Sequence, residues 1–233
     1  MNLLLLRDED FLPDGTARLI GRRLLHAREV LRLAEGDAVR AGRLHGPTGE
    51  AVVVRLTHEE LVLRVQLAEP PPPRCGVDLL LAMPRPKALR KVLPAVASLG
   101  VDRLVLVNAA RVEKSYFSSK VLDEAFELFC EGLEQARDTT PPELQIRERF
   151  RPFVEDELDA MFPSGTRLLA HPAAESLMPR QGGRVVLAIG PEGGWVPFEV
   201  ELLTAHGFTP VSLGPRPLRV EVAVACALGA LSR

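Results

Sequence analysis

The chain has 233 residues, of which 46% are hydrophobic and 26% are charged, and its formal net charge is −2. These proportions are typical of a folded globular protein and exclude a largely disordered chain. The slightly negative charge excludes a protein that coats nucleic acid without sequence preference, but it leaves room for an RNA enzyme with a local basic patch.

The first part of the chain predicts a small β-rich domain. Its predicted elements are a helix at 22–31 and strands at 37–43, 50–56 and 60–67. Four consecutive prolines at 70–73 end this pattern, because proline cannot continue a helix or a central strand. We therefore predict a small barrel domain at 1–70 and a second domain at 74–233, joined by a stiff extended connector.

The second domain predicts alternating strands and helices. The predicted strands are 77–83, 104–107, 167–170, 185–189 and 210–213, and the predicted helices are 88–99, 121–137, 197–206 and 219–231. Alternation of this kind predicts an α/β domain with a mostly parallel sheet.

Cysteine usage and hydropathy bear on location. The three cysteines are far apart and lack C-x-x-C spacing, so we expect a reducing cytoplasm and no metal site. The longest apolar run, 222–231, is half the length that a membrane-spanning helix needs, and the apolar start of the chain is too short for a signal peptide. These features predict a cytoplasmic protein without membrane contact.

Two loops that follow predicted strands indicate a ligand site. The first reads Ile189-Gly190-Pro191-Glu192-Gly193-Gly194, and the second runs from Leu213 through Gly214, Arg216 and Leu218 to Glu221. Ligands of α/β sheets bind beyond the carboxyl ends of strands, and glycine lets the backbone approach a ligand closely. The alternative is a pair of ordinary strand-to-helix turns, but two matching loops favour two walls of one pocket.

The same loops exclude the common nucleotide sites. The chain has neither a G-x-G-x-x-G fingerprint after a strand nor a G-x-x-x-x-G-K-[ST] loop. Glu192 also stands where a phosphate cradle needs bare amides or a lysine. A cationic or neutral ligand fits such a loop better than a polyphosphate.

These motifs resemble those of the ribosomal small-subunit RNA methyltransferase E family, which belongs to the knotted SPOUT methyltransferases. The resemblance rests on I-G-P-E-G-G with Glu199 after it, and on L-G-x-R-x-L-R-x-E at 213–221. It continues along most of the chain at the following positions: His26 with V-L-R at 30–32 and G-D at 36–37, Lys87 with S-L-G-V at 98–101, Glu134-Gln135, and His171-Pro172.

The resemblance implies a fold and an activity. It implies a PUA-like RNA-binding barrel followed by an α/β domain whose last helix is threaded past the loop 190–194 in a trefoil knot. It also implies a homodimer. The implied reaction is methyl transfer from S-adenosylmethionine to N3 of a uridine in the 16S rRNA of the small ribosomal subunit.

The resemblance further implies residue roles. The residues that would bind the donor lie in three strand-end loops: Leu169, His171, Pro172, Ile189, Gly190, Pro191, Glu192, Gly193, Gly194, Leu213, Gly214, Arg216 and Leu218. The residues that would meet RNA are basic: Arg22, Arg23, His26, Arg28, Arg32, Arg85 and Lys87. Arg219 would stabilise an anionic uracil oxygen, and Glu221 would orient Arg219 or take the N3 proton.

Other interpretations stay open at this point. Glu221 can be a helix N-terminal carboxylate favoured by the helix dipole, and the arginines at 18–43 can form a solvated helix face. The chain can also be a SPOUT methyltransferase for another RNA position, or a non-catalytic RNA-binding or ribosome-assembly protein with a vestigial pocket. It departs from the family's R-T-E-T-A by reading Arg219-Val220-Glu221-Val222-Ala223, and from E-Q-S-G-R by reading Glu134-Gln135-Ala136-Arg137-Asp138.

Overall fold

The computed structural model describes residues 2–180 and 182–231. These residues form two compact units. Unit 1 contains 2–73 together with Cys130–Pro141, and unit 2 contains Arg74–Phe129 together with 142–231. The outermost residues of the two predicted domains, Met1, Ser232 and Arg233, lie outside the described residues.

Unit 1 is built on a five-stranded sheet. Its elements are β1 (Leu4–Leu6), a 3-10 helix (Asp8–Asp10), β2 (Thr16–Leu19), α1 (Gly21–Glu29), β3 (Ala38–Arg43), β4 (Thr48–Leu56) and β5 (Leu61–Glu69). The strand order is β1-β3-β4-β5-β2, with β1 parallel to β3 and the other pairs antiparallel. Along β4, Ala51 and Val53 are buried while Val52 and Val54 are exposed, so the alternating pattern fixes which face of the sheet meets the core.

Unit 2 alternates strands and helices. Its first elements are β6 (Val77–Ala82), α2 (Pro86–Ser98), β7 (Arg103–Val107), a 3-10 helix (Lys114–Ser118), α3 (Lys120–Asp123), α4 (Ala125–Ala136) and β8 (Glu143–Arg147). They are followed by α5 (Phe150–Pro152), a π-helical turn (Phe153–Glu157), α6 (Leu158–Met161), β9 (Thr166–Ala170), β10 (Val185–Ile189), α7 (Pro197–Ala205), β11 (Thr209–Val211) and α8 (Val220–Leu231). The residues of α4 from Cys130 onward belong to unit 1. The predicted α/β fold with a mostly parallel sheet is confirmed, because the six strands pair in parallel in the order β11-β9-β10-β6-β7-β8.

The parallel sheet determines where a site can lie. All five residues of the central strand β10 are buried, as expected for a strand covered on both faces. Because the strands run in one direction, the loops that follow β6, β7, β9, β10 and β11 lie along the same edge of the sheet. That edge is the usual place for a ligand in an α/β fold.

The predicted helix at 121–137 is wrong in one respect. The structure divides it into α3 and α4 at Glu124, whose backbone has φ −92° and ψ 0°. Val121, Ala125 and Leu128 are all buried, with spacings of four and three residues, so one apolar face continues through the break. Hydrophobic periodicity indicates the buried face of a helix but does not reveal a local change in backbone conformation such as the one at Glu124.

Candidate functional site

A cavity of about 380 Å³ lies at the carboxyl ends of β9, β10 and β11. Residues of the loops after all three strands line it, together with the first turn of α8 and Arg111 from the loop after β7. The two glycine-bearing loops therefore lie in the walls of one pocket. The volume falls within the range of about 300 to 1,000 Å³ that is usual for small-molecule sites.

The predicted donor-binding residues converge on this cavity, with one exception. Leu169 of β9 has no exposed surface and packs in the hydrophobic core. The other predicted residues line the cavity. Two of the remaining lining residues, Ala170 and Pro217, lie within the predicted strand-end loops. Sequence reasoning missed the other five: Arg111, Ala173, Trp195, Val220 and Ala223. Trp195 and Arg111 belong to neither motif, although Trp195 directly follows the first.

The first loop needs its glycines. A Cβ at Gly190 would lie 3.1 Å from two ring atoms of Trp195 and 3.2 Å from its backbone nitrogen. Gly194 has φ +73°, a conformation that side chains rarely adopt, and its N–H donates to the carbonyl of Pro191 at 2.8 Å. Trp195 Nε1 is buried and has no hydrogen-bond partner among the described residues. The loop thus offers close backbone approach and an unused donor.

Two carboxylates hold the loops of this edge in place. Glu192 Oε1 accepts the backbone N–H of Arg85 at 3.0 Å, which ties the glycine loop to the residue before α2. The buried carboxylate of Glu199 accepts from Ala110 N at 2.7 Å and from Val196 N at 2.9 Å. Glu199 therefore joins the start of α7 to the loop that carries Arg111.

The loops after β9 and β11 support each other. His171 N donates to the carbonyl of Val211 at 2.9 Å, and the N–H of Ala173 lies 3.3 Å from His171 Nδ1. Gly214 has φ +113°, and its N–H donates to Ser212 Oγ at 3.1 Å. The backbone path of this wall is fixed by contacts within the wall, which leaves its cavity face free for a ligand.

The two predicted catalytic residues lie at the start of α8. The exposed Arg219 precedes the helix, and its carbonyl accepts from Val222 N at 3.0 Å and from Ala223 N at 2.8 Å. Neither Arg219 nor Glu221 lines the cavity, although their neighbours Val220 and Ala223 do.

Glu221 forms an ion pair with Lys91 of α2, with the oxygen and nitrogen 3.1 Å apart. The pKa of Glu221 is lowered, first by a hydrogen bond from its own backbone N–H and then by Lys91. A carboxylate with a lowered pKa is a weaker base, so this environment suits orientation better than proton removal.

The predicted RNA-binding residues of unit 1 lie on α1 and directly after it. Arg22 and Arg32 are exposed, whereas Arg23 is engaged by the buried Asp10 through two contacts of 2.6 Å. Arg28 contacts His58 at 2.9 Å and Glu29 at 3.1 Å.

Three further residues complete the predicted RNA-binding set. His26 has a buried Nε2 without a hydrogen-bond partner among the described residues. In unit 2, Arg85 and Lys87 are exposed at the start of α2.

Across 2–180 and 182–231, no group of three or more histidine, cysteine or acidic residues has the geometry to hold a metal ion. No helix in these ranges is long and apolar enough to cross a membrane.

Comparison with known proteins places these features in context. Residues 71–232 match a family model described as an RNA methyltransferase domain. The chain is 32% identical to ribosomal RNA small subunit methyltransferase E of Treponema pallidum, over 97% of this chain and 88% of that protein. It is 27% identical to the protein of the same name from Mycobacterium tuberculosis, over 95% of this chain and 88% of that protein.

Solved structures show the same fold. A putative methyltransferase from Legionella pneumophila, solved with bound S-adenosylmethionine, aligns with a TM-score of 0.79 and 25% identity over 98% of this chain and 96% of that one. A ribosomal RNA small subunit methyltransferase E from Neisseria gonorrhoeae aligns with a TM-score of 0.79 over the same shares at 22% identity, which supports the fold alone.

Proposed function

The chain belongs to the ribosomal RNA small subunit methyltransferase E family, and we propose that it transfers the methyl group of S-adenosylmethionine to N3 of a uridine in 16S rRNA. The broader activity, methylation of small-subunit rRNA with this donor, follows from the family. The observation that carries the proposal is the cavity at the ends of β9, β10 and β11, whose walls are the two motif loops.

The cavity residues fit the donor. Its glycine loop brings backbone close to a ligand, and Trp195 Nε1 is a buried donor that lacks a partner among the described residues. Glu192 places a carboxylate in the wall, which suits a sulfonium cation better than a polyphosphate. When bound, S-adenosylmethionine supplies an activated methyl group, so much of the rate can come from positioning.

The residues of this chain must make N3 of the acceptor uracil reactive. N3 of uracil carries a proton at neutral pH, and the nitrogen can attack only as that proton leaves. We assign Arg219 the stabilisation of the negative charge that develops on a uracil oxygen. Glu221 is a positioning residue in this account, because its paired state with Lys91 and its lowered pKa suit a fixed anion.

Unit 1 is proposed as a PUA-like RNA-binding domain, corresponding to 1–70, which presents 16S rRNA within the small subunit to the methyltransferase domain at 74–233. Its support is the five-stranded sheet with α1 and the exposed position of Arg32 directly after that helix. With a net charge of −2, the chain has little non-specific attraction to RNA, so binding needs many local contacts. We therefore propose that the substrate is the assembled subunit and not free RNA. Equal rates on free 16S rRNA and on subunits would contradict this preference.

Three further features of the family are proposed for this chain: the trefoil knot, the homodimer and the cytoplasmic location. The knot is supported by the loops at 189–194 and 213–218, which line one cavity before α8 packs on α2 and β10. The homodimer is supported by α8, whose Val222, Ala225 and Cys226 form an exposed stripe at helical spacing. The cytoplasm is supported by three cysteines that are all free thiols.

Transfer of labelled methyl groups tests the proposal. Small ribosomal subunits that lack the modification are incubated with labelled S-adenosylmethionine, and donor binding is followed separately by calorimetry. We expect incorporation into 16S rRNA that falls by about 100-fold in Arg219→Ala, the loss typical of removing one stabilising donor. Donor binding without transfer would point to another RNA substrate, and the absence of both would favour a binding protein.

A further inference from the structure

Arg111 lies beside the donor cavity although it belongs to neither motif. It follows β7, and its side chain lines the cavity whose walls come from β9, β10 and β11. The loop is well fixed on both sides of it. Ala110 N donates to the buried carboxylate of Glu199 at 2.7 Å, and Val112 N donates to the carbonyl of Ala109 at 3.0 Å.

The side chain of Arg111 lies across the glycine loop. Its Nη1 donates a hydrogen bond to the carbonyl of Gly193. A Cβ at Gly193 would lie 3.0 Å from Arg111 Cδ and 3.3 Å from Arg111 Cβ. The glycine at 193 therefore makes room for the aliphatic stem of Arg111, and the contact brings the guanidinium to the cavity wall.

The charge of Arg111 is not neutralised by a carboxylate of the described residues. The comparison within unit 2 is direct, because Arg184 pairs with Asp78 and Arg167 pairs with Asp159. Arg111 instead contacts a backbone carbonyl, which uses one of its several N–H donors. A guanidinium beside a ligand cavity, with further donors that find no partner among the described residues, is suited to an anionic partner.

We propose that Arg111 is a second catalytic cation, which contacts a uracil oxygen next to N3 and stabilises the charge that develops there. This inference rests on the proposed function. In the step, the N3 proton passes to solvent and the nitrogen lone pair forms the bond to the methyl carbon. The carbon–sulfur bond breaks as that bond forms, and its electron pair stays on sulfur, which leaves as a neutral thioether.

The acidity of uracil N3 distinguishes a catalytic role of Arg111 from a structural one. Only in a catalytic role does the loss caused by Arg111→Ala depend on that acidity. Fluorine at C5 withdraws electrons from uracil and makes N3 more acidic, so less stabilisation of the anion is needed. Single-turnover transfer is measured with Arg111→Ala on subunits reconstituted with 16S rRNA that contains either uridine or 5-fluorouridine. We expect a loss of about 100-fold on uridine, a clearly smaller loss on 5-fluorouridine, and partial recovery with added guanidinium ion.

Two variants serve as controls. Lys114→Ala removes an exposed cation from the segment that follows the same strand, and we expect it to leave the transfer rate unchanged. Arg111→Lys keeps the charge with a different shape, and it tests the proposal if the alanine variant does not fold. We expect its rate on uridine to lie between those of the wild type and the alanine variant.

Several results would overturn the inference while leaving the proposed function intact. They are an equal loss on both acceptors, a loss fully explained by weaker donor binding in calorimetry, an equal loss in Lys114→Ala, and full activity in Arg111→Ala. Absence of 3-methyluridine with the wild-type protein would instead reject the proposed function itself.

Discussion

The carboxylate of Glu221 lies 3.1 Å from the ammonium of Lys91, so the first turn of α8 is held to α2 beside the donor cavity. Both side chains are partly exposed, and an ion pair of this kind contributes little stability. Its importance lies in fixing the point at which the second loop enters α8.

The first prediction concerns the role of Glu221. The backbone N–H of Glu221 and then Lys91 hold its pKa below the usual value. Glu221→Gln should therefore lower the transfer rate by less than about 10-fold and leave the pH–rate profile unchanged. The measurement is the single-turnover rate across pH 6–9, with Lys91→Ala as the matched partner variant. A larger loss in which the pH dependence disappears would identify Glu221 as the base.

The second prediction concerns Gly190. Gly190→Ala would force its new methyl group against Trp195, because three atoms of that residue lie within 3.2 Å of the Cβ position. We expect the free energy of unfolding to fall by about 1–3 kcal/mol and the donor to bind more weakly. Gly229→Ala is the control, since its Cβ meets nothing within 4 Å and alanine favours a helix. Wild-type stability and donor affinity in Gly190→Ala would contradict the tight fit.

The third prediction concerns Glu134 of unit 1. Burial raises its pKa from 4.5 to about 7, although Leu5 N lies 3.5 Å from its Oε1 and Arg23 is nearby. Because the folded state binds the proton more tightly, stability is fullest below pH 4.5 and declines as pH rises to about 7.

Glu134→Gln should remove that decline and stabilise unit 1 at pH 8 by up to about 3 kcal/mol. Urea unfolding at pH 5 and pH 8 measures the effect, with Glu59→Gln, at an exposed position of unit 1, as the control. An identical pH dependence in wild type and Glu134→Gln would show that another group is responsible.

The fourth prediction distinguishes the roles of Arg23 and Arg32, two of the predicted RNA-binding residues of unit 1. Arg32 is exposed, so Arg32→Ala should weaken binding to small subunits and reduce the salt dependence of binding, with unchanged stability. Arg23→Ala should instead destabilise the fold by about 3 kcal/mol, because the buried carboxylate of Asp10 loses the guanidinium, although it keeps the backbone N–H of Arg7 at 2.7 Å. Filter binding at several salt concentrations and thermal unfolding distinguish the two. The opposite assignment of effects would place Arg23 at the RNA surface.

The sequence predicted the helices and strands that show a clear hydrophobic periodicity. The helical face of Leu89, Val92, Leu93 and Val96 is fully buried in α2, as its spacing indicates. The strands β1 and β2 were missed because three and four residues are too short to establish a period of two. The strand β8 and the irregular helices at 150–161 also lack a clear pattern.

The candidate site also has features that the sequence predicted and features that depend on the fold. Its motif loops follow strands and were recognised from sequence, but the contact between Arg111 and Gly193 joins residues 82 positions apart. That contact depends on strand order, because β7 is separated from β10 only by β6 in the sheet. The pairing of Arg23 with Asp10 is equally invisible without the fold, and it gives Arg23 a structural contact in addition to its predicted RNA-binding role.

Nucleoside analysis of the methylated rRNA distinguishes transfer to N3 of uridine from transfer to any other position. Subunits lacking the modification are methylated with S-adenosylmethionine that carries a deuterated methyl group, and the 16S rRNA is digested to nucleosides for mass spectrometry. We expect deuterated 3-methyluridine from the wild-type protein and its loss in Arg219→Ala. A deuterated methyl group found only in another nucleoside, or on another atom of uridine, would contradict that expectation.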